Sequence, residues 1–455
     1  MEGRGRLLPR LLRGGAWVAG GRIATGATAL ALHALLARLV SAEELGLYFL
    51  LLALASAGGS MAHLGLAQPA VRLIASALAL DLPGRVRAAI VQLLMLGLLL
   101  ATGAGGLLWF AFHSGLADRM FGQSDLTGLA LLAALWPAFL VMQALLGEIW
   151  RGLHDWPRAT LFGGLLASLL GITVLAAGSL VGGIGLSDAL AIVLAALALS
   201  LLVGAVELCR HFVRLGRTGD LPGRETLRLT LPLLFAALPW LVLDHAHLIL
   251  LGMMRPTTEV AVYGAALRLV TFIAMPLVMV NAVLAPFIAG LYARGEHHRL
   301  ERLLRDAAGM VSLAALSGFL VIALSGDLVL GWVFRPEFRT GATALTILAL
   351  GQVIGLWFGS AGLTLILTGH SVLPMLLVAG AALAEVGLGL ALIPRLGIEG
   401  AAAAQALSLA GLRLAFWLGL RAGTGLRSDA APGRLAMRLR PGRLGGRVRG
   451  LLSPS

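Results

Sequence analysis

Lysine is absent from this 455-residue chain, and cysteine occurs once, at Cys209. One cysteine excludes an intrachain disulfide, and a chain sheltered in lipid needs none to hold its fold. All 35 basic residues are therefore arginine, which together with the excess of Ala, Gly and Leu reads as the composition of a GC-rich genome. Charge is scarce as well. Charged residues make up 13% of the chain, whereas a soluble domain carries about 25%. No Walker A sequence is present, so ATP does not drive this chain directly. Internal polar loops reach only about 20 residues, too short to house a glycosyltransferase or polymerase site. The ten histidines are scattered, and His245-x-His247 on a helix would point its rings about 200° apart, so no metal site and no cofactor is expected. No nucleic-acid partner is expected either.

What is present is apolar. The hydrophobic fraction is 59% and the mean hydropathy is +0.92, which marks an all-α polytopic membrane protein. A crossing helix needs about 20 apolar residues. The pattern predicts twelve spans, near 16–38, 45–67, 88–112, 127–150, 160–180, 187–209, 229–253, 260–290, 307–326, 341–367, 371–393 and 400–420. The first apolar run, from Ala16 to Leu36, is too long for a signal peptide and contains Arg22, so it reads as the first span. The eighth span holds Pro276 and Pro286, and a kink is expected there.

Three landmarks recur at a nearly constant offset. Glu44–Tyr48 returns as Glu259–Tyr263, Thr127-Gly128 as Thr340-Gly341, and Gly183-Ile184 as Gly397-Ile398. Two homologous halves of six spans each follow, related by an axis along the membrane normal because six crossings restore the orientation. The expected organisation is an N-terminal lobe over 1–209, a linker over 210–228, a C-terminal lobe over 229–420 and a basic tail over 421–455. The tail reads as a disordered topology anchor or as a contact for anionic headgroups, worth about 1 kcal/mol per arginine near the surface.

Arginine also sets the expected topology. With the N-terminus in the cytoplasm, 26 of the 35 arginines lie on the cytoplasmic side and six on the other. Such a bias puts both termini inside, in a cell inner membrane. Three remain within spans, namely Arg22, Arg268 and Arg413. An arginine at mid-bilayer costs about 2.5–3.5 kcal/mol on insertion scales. Arg413 lies close enough to a span end to snorkel. Arg22 shares one helix face with Gly26, Ala29 and His33, which suits a cavity wall or a tight helix contact. Arg268 has Asp244 and Glu385 at similar depth, so a buried ion pair or a substrate-facing charge are both expected roles. Glu148 and Arg151 read as a surface pair at a helix end. Asn281, Gln352 and Gln143 either meet sugar hydroxyls or link helices.

The stretch LPLLFAALPWLVLDHAHLILLGMMRPTTEVAVYGAALRLV, with PLVMVNAVLAPFIAGLY, LGWVFRPEFRTGATALTILALG, LTGH and IPRLGIEGAAAAQAL, resembles the polysaccharide-biosynthesis flippases. These belong to the multidrug/oligosaccharidyl-lipid/polysaccharide exporter superfamily. LARLVSAEELGLYFLLLAL and LGLAQPAVR in the first half extend the resemblance over about residues 16–420. It implies two six-helix bundles in a V around a central cavity, and alternating access for a lipid-diphosphate-linked oligosaccharide. It implies a flippase rather than an enzyme, with polymerase and glycosyltransferases as partners. The related lipid II flippases carry cavity cations on their first and eighth helices, the helices that hold Arg22 and Arg268 here. Substrate contacts are accordingly expected from Arg22, His33, Arg268, Asp244, Glu385 and Asn281. A cation-coupled multidrug exporter is the main rival; helix 1 lacks the acid such exporters use, while Asp244 keeps the idea alive. A non-transporting scaffold for glycan enzymes is the other.

The arginine bias makes a topology prediction. Single cysteines placed at the tail and at 210–228, in a Cys209→Ser background, should be labelled from the cytoplasmic side only. Labelling of the tail from outside would overturn the twelve-span reading.

Overall fold

The computed structural model describes residues 4–122, 126–180, 183–215, 219 and 221–431. Among them every regular element is helical. In chain order these are α1 (Arg4–Leu39), α2 (Ala42–Ala79), α3 (Pro83–His113), the short α4 (Leu116–Phe121) and α5 (Ala130–Gly152). There follow α6 (Trp156–Thr160), a π-helical turn at Leu161–Leu165, α7 (Leu166–Gly178) and α8 (Leu186–Leu215). The second half has α9 (Gly223–Met254), α10 (Thr257–Ala293), α11 (His297–Val333), α12 (Ala342–Trp357), α13 (Ala361–Leu367) and α14 (Val372–Thr424).

Among the described residues, ten helices are long and apolar enough to cross a membrane. The last, α14, has 53 residues, or about 80 Å at 1.5 Å per residue, against a hydrocarbon core of about 30 Å. It is two crossings joined at Gly397, whose dihedrals (φ 58°, ψ −129°) only glycine takes without strain. With α1 this makes twelve. The fifth is α6 and α7 run together through Gly164 (φ 142°), and the tenth is α12 and α13 separated by a break at Gly359 (φ 62°). The helices outrun the spans read from hydropathy because they continue into the polar interface. α2 reaches Ala79, past Arg72, and α11 begins at His297. The eighth span, where a kink is expected, is one unbroken helix: α10 continues through Pro276 and Pro286 without a non-helical residue. A proline removes one N–H and displaces one carbonyl, which a long packed helix absorbs; the true breaks fall at Gly164, Ser325 and Gly397.

The repeat has a physical basis. Ser41 and Glu44 form a reciprocal capping box at the start of α2. Glu44 also accepts from the Leu186 N–H (3.1 Å), which fixes the turn into the sixth crossing. Its counterpart Glu259 pairs with Arg255 (2.8 Å) and lies against Gly397 at the turn into the twelfth. Glu44 thus ties the start of α2 to the last crossing of its lobe, and Glu259 lies beside the glycine at which the last crossing of the other lobe begins. A second pair lies in the interior. His33 sits edge-on to Tyr48, and His247 edge-on to Tyr263, at 5.8 Å in both lobes.

Burial is distributed as a V. One continuous core joins both lobes around Leu36, Phe49, Tyr263 and Phe334, at the end where α1 meets α2 and α9 meets α10. At the other end the core is split, one half around Ile74 and Trp150 and the other around Ile288 and Phe416. Small residues allow the closed end. A Cβ on Gly46 would lie 1.8 Å from the Thr257 carbonyl oxygen, one on Gly252 would reach Leu50, and one on Gly264 would reach Phe49. Arg38 adds a polar clamp, donating to the Trp332 carbonyl across the lobes (2.6 Å). At the open end the linker is docked rather than loose. The Gly219 N–H donates to Gly84 (2.8 Å), Gln92 donates to the Leu221 carbonyl (2.7 Å), and Arg85 pairs with Glu225 (2.6 Å).

The start of the tail is also ordered, unlike the disordered anchor read from its composition. Asp429 accepts from Trp417 Nε1 (2.9 Å), the Ala430 N–H donates to the Trp357 carbonyl (2.9 Å), and the Ser428 hydroxyl donates to Phe358 (2.8 Å). These bonds satisfy carbonyls freed where α12 ends. The rest of the tail, 432–455, lies outside the described residues.

Closure at Gly46 is testable. Gly46→Val should push α2 off the start of α10 and open this end. Spin labels at positions 38 and 332, in a Cys209→Ser background, should move apart relative to the same pair with Gly46 intact. An unchanged distance distribution would show that the glycine contact does not set closure.

Candidate substrate cavity

A cavity of about 460 Å³ lies between the lobes toward the split end. Its wall is built from α1, α5, α6 and α10, with His63 from α2. Gly21, Gly26, Gly147 and Gly163 line it, so the backbone itself forms much of the surface. Gly147 and Gly163 place α5 and the π-helical turn nearly in backbone contact. Charge comes from few residues. Arg22 projects from α1 and has no ion-pair partner among the described residues. Glu148 and Arg151, at the end of α5, line the same cavity and bond to each other (2.5 Å). Two guanidiniums and one carboxylate leave a net positive wall.

A second, smaller pocket of about 290 Å³ continues into the N-terminal lobe. It shares Thr25, Ala29 and Gly163 with the first. The face of α1 that carries Arg22, Gly26, Ala29 and His33 therefore lines both in succession, from Arg22 in the outer cavity to His33 in the inner pocket. Eleven residues separate the two, or about 16 Å along the helix. The inner pocket is walled by Tyr48, Trp136 and Gln143, and Arg268 reaches it from α10 of the opposite lobe. His33 is held by a bond between its Nδ1 and the Ala29 carbonyl (2.6 Å).

Arg268 does not pair with Asp244 or Glu385. Its guanidinium carbon lies 5.5 Å from the centre of the Phe49 ring, and its Nε is buried with no hydrogen-bond acceptor among the described residues. A ring face attracts a cation through its quadrupole and stands where a counter-ion was expected. Glu385 is fully buried and is bonded to His247 (2.8 Å), with its second oxygen unpartnered. Asp244 is exposed on α9 and lines neither pocket. Asn281 accepts from the Ser360 hydroxyl (2.5 Å), which links α10 to the break before α13, away from both pockets. Arg413 lies against Gly355, also away from them. Of the six residues singled out from the sequence, the structure brings Arg22, His33 and Arg268 to two adjoining cavities and places the other three elsewhere.

The sequence reading missed three residues of the outer cavity, His63, Glu148 and Arg151. Glu148 and Arg151 were visible as an i, i+3 pair but were assigned to the surface, because spacing along one helix does not say which neighbour the pair faces. His63 gave no signal at all.

Similarity to known proteins agrees with this architecture. No curated protein matches the sequence. Among solved structures, the inward-facing conformation of a multidrug resistance MATE family transporter of the MOP superfamily superposes with a TM-score of 0.74 at 18% identity, over 88% of this chain and 94% of that one. An outward-facing conformation of such a transporter gives 0.62 at 18% identity, over 90% and 94%. The lipid II flippase MurJ in an inward closed conformation gives 0.67 at 12% identity, over 88% and 86%. The family described as polysaccharide biosynthesis protein matches residues 11–291, more than half of the chain. The chain therefore belongs to the polysaccharide biosynthesis protein family, within the two-lobe fold of the multidrug and lipid-flippase transporters.

Proposed function

We propose that this protein flips a polyprenyl-diphosphate-linked oligosaccharide from the cytoplasmic to the outer leaflet of the cell membrane, for assembly of a surface polysaccharide. The observation that carries this reading is the cavity between the lobes, walled by α1 and α10 and bearing an unpaired Arg22 beside Arg151. Two guanidiniums flanking a lipid-facing cleft suit a diphosphate, since each offers a planar pair of donors to phosphate oxygens. Glu148 holds Arg151 in place until the phosphate competes for it. The glycan extends inward along the α1 face toward His33 and Arg268, while the prenyl tail stays in the bilayer. Release then follows from rocking of the lobes, with the glycine contacts at Gly46, Gly252 and Gly264 parting and the split end closing. Moving two negative charges outward across 100 mV releases about 4.6 kcal/mol, at about 2.3 per charge, so the membrane potential suffices as a drive.

The expected result in proteoliposomes loaded with a fluorescent undecaprenyl-diphosphate-linked sugar is a graded loss. Arg22→Lys keeps charge without the bidentate geometry and should flip more slowly than wild type; Arg22→Ala and Arg268→Ala should be slower still, at equal protein abundance. Arg413→Ala, away from both pockets, should flip at nearly the wild-type rate. Flipping by well-folded Arg22→Ala at the wild-type rate would refute the diphosphate site.

The buried His247–Glu385 pair supports a second reading, in which the same chain is cation-coupled. A carboxylate with a free oxygen deep in the C-terminal lobe, touching neither pocket, has no role in holding a diphosphate. Coupling predicts that transport responds to an imposed proton or sodium gradient and that Glu385→Gln loses this response while retaining basal flipping. A rate indifferent to both gradients in the wild type removes coupling.

A further inference from the structure

The inner pocket has an unusual polar inventory. Two buried nitrogens, Arg268 Nε and Gln143 Nε2, have no hydrogen-bond acceptor among the described residues. Both are donors. The lining contains no aspartate or glutamate. A guanidinium buried without a carboxylate and a buried amide without an acceptor are each destabilising. Their persistence in one cavity of about 290 Å³ points to an occupant that accepts hydrogen bonds and carries negative charge. The remaining walls constrain it further. Tyr48 and Trp136 pack against each other, with ring centres 5.4 Å apart, and both line the pocket. Aromatic walls with a polar end suit a ring that is apolar on one face and oxygen-rich at its edge. The volume is at the small end for ligand pockets, which excludes a whole oligosaccharide.

We propose that the inner pocket is a recognition subsite for one acidic sugar of the transported glycan, a pyranose bearing a carboxylate. Its carboxylate accepts from Arg268 and Gln143, and its ring lies beside Trp136 and Tyr48, which close the apolar side of the pocket. The inference rests on the flippase reading for what brings the sugar to the pocket, and it adds specificity: an acidic residue near the reducing end selects the substrate. Arg268 completes the subsite only when α10 lies against α1 and α2. An acidic sugar therefore bridges the lobes in the closed-end state observed here, and rocking of the lobes withdraws Arg268 from the subsite and so releases it. Thr25, Ala29 and Gly163 line both cavities, so the two adjoin, and diphosphate and acidic sugar would sit in neighbouring sites.

The test uses full-length protein in lipid nanodiscs and three probes: methyl glucuronide, methyl glucoside and inorganic pyrophosphate. Binding is read by saturation-transfer NMR and calorimetry. Methyl glucuronide should bind roughly tenfold tighter than methyl glucoside, the factor that one charge-assisted hydrogen bond supplies. Arg268→Gln should remove that preference, and Gln143→Leu should weaken glucuronide binding alone. Both variants should still bind pyrophosphate, which also shows that they are folded, whereas Arg22→Ala should lose pyrophosphate and keep glucuronide. Equal binding of the two glycosides, or no binding of either, overturns the proposal. So does full displacement of glucuronide by pyrophosphate with loss of both in Arg22→Ala, because the anion site is then the outer cavity. Glucuronide binding without any pyrophosphate binding would leave the inner subsite standing and count against the diphosphate site instead.

Discussion

The close approach of the two lobes at one end is the contact on which the rest of the structure depends. Gly46 lets the start of α10 sit against α2, and Gly252 and Gly264 receive Leu50 and Phe49. Lipid tails are as apolar as leucine, so helices within a membrane gain little from burying apolar surface against each other. Association must come from dispersion contacts and hydrogen bonds, and small residues are what permit them. Once the lobes meet there, the single core around Phe49 and Tyr263 forms, and the remaining length of the helices diverges into two separate cores. The cavity is the space left between them. Beyond these van der Waals contacts the joint carries few polar ones, namely the Arg38 clamp, a Ser60–His245 hydrogen bond (3.2 Å) and Arg268 over the Phe49 ring.

The same constraint explains why arginine can be carried deep in the protein. Arg22 is tolerable because it faces a cavity rather than lipid. Arg268 is held over Phe49, at the closed joint itself, with His33 and Tyr48 around the same ring. A carboxylate partner would cancel its charge and leave nothing to offer a ligand. The C-terminal lobe shows the opposite choice: Glu385 is committed to His247 and sealed from both pockets.

Much of this was legible in the sequence, and the remainder failed for definable reasons. Twelve crossings and two halves followed from hydropathy, arginine and three short repeats, because these are properties of single segments. The repeat even marked the right physical device, since Glu44 and Glu259 each lie where the last crossing of their lobe begins. The shared face of Arg22 and His33 followed from helical periodicity alone. Partner choice did not. Equal depth made Asp244 and Glu385 look like counter-ions for Arg268, but depth says nothing about azimuth around a bundle. An aromatic ring also does not announce itself as a cation's neighbour. The ordered Asp429 was hidden for a similar reason: a basic, glycine-containing tail hides a short segment whose backbone caps a broken helix.

The offset between the halves carries one step further. His33 and Tyr48 correspond to His247 and Tyr263, at separations of 214 and 215 residues in the sequence. The same offset sets Glu385 against Gly171. In the C-terminal lobe that position is filled by a carboxylate that bonds to His247. In the N-terminal lobe it is a bare glycine that lines the inner pocket. A scaffold repeated twice, with a histidine and a tyrosine facing each other in both copies, has one copy plugged by its own acid and the other left open. The open copy is the one that Arg268 reaches from across the joint, with buried donors and no acceptor of its own. The resident glutamate in one lobe is thus an internal precedent for the proposed subsite, a carboxylate beside the same histidine–tyrosine pair.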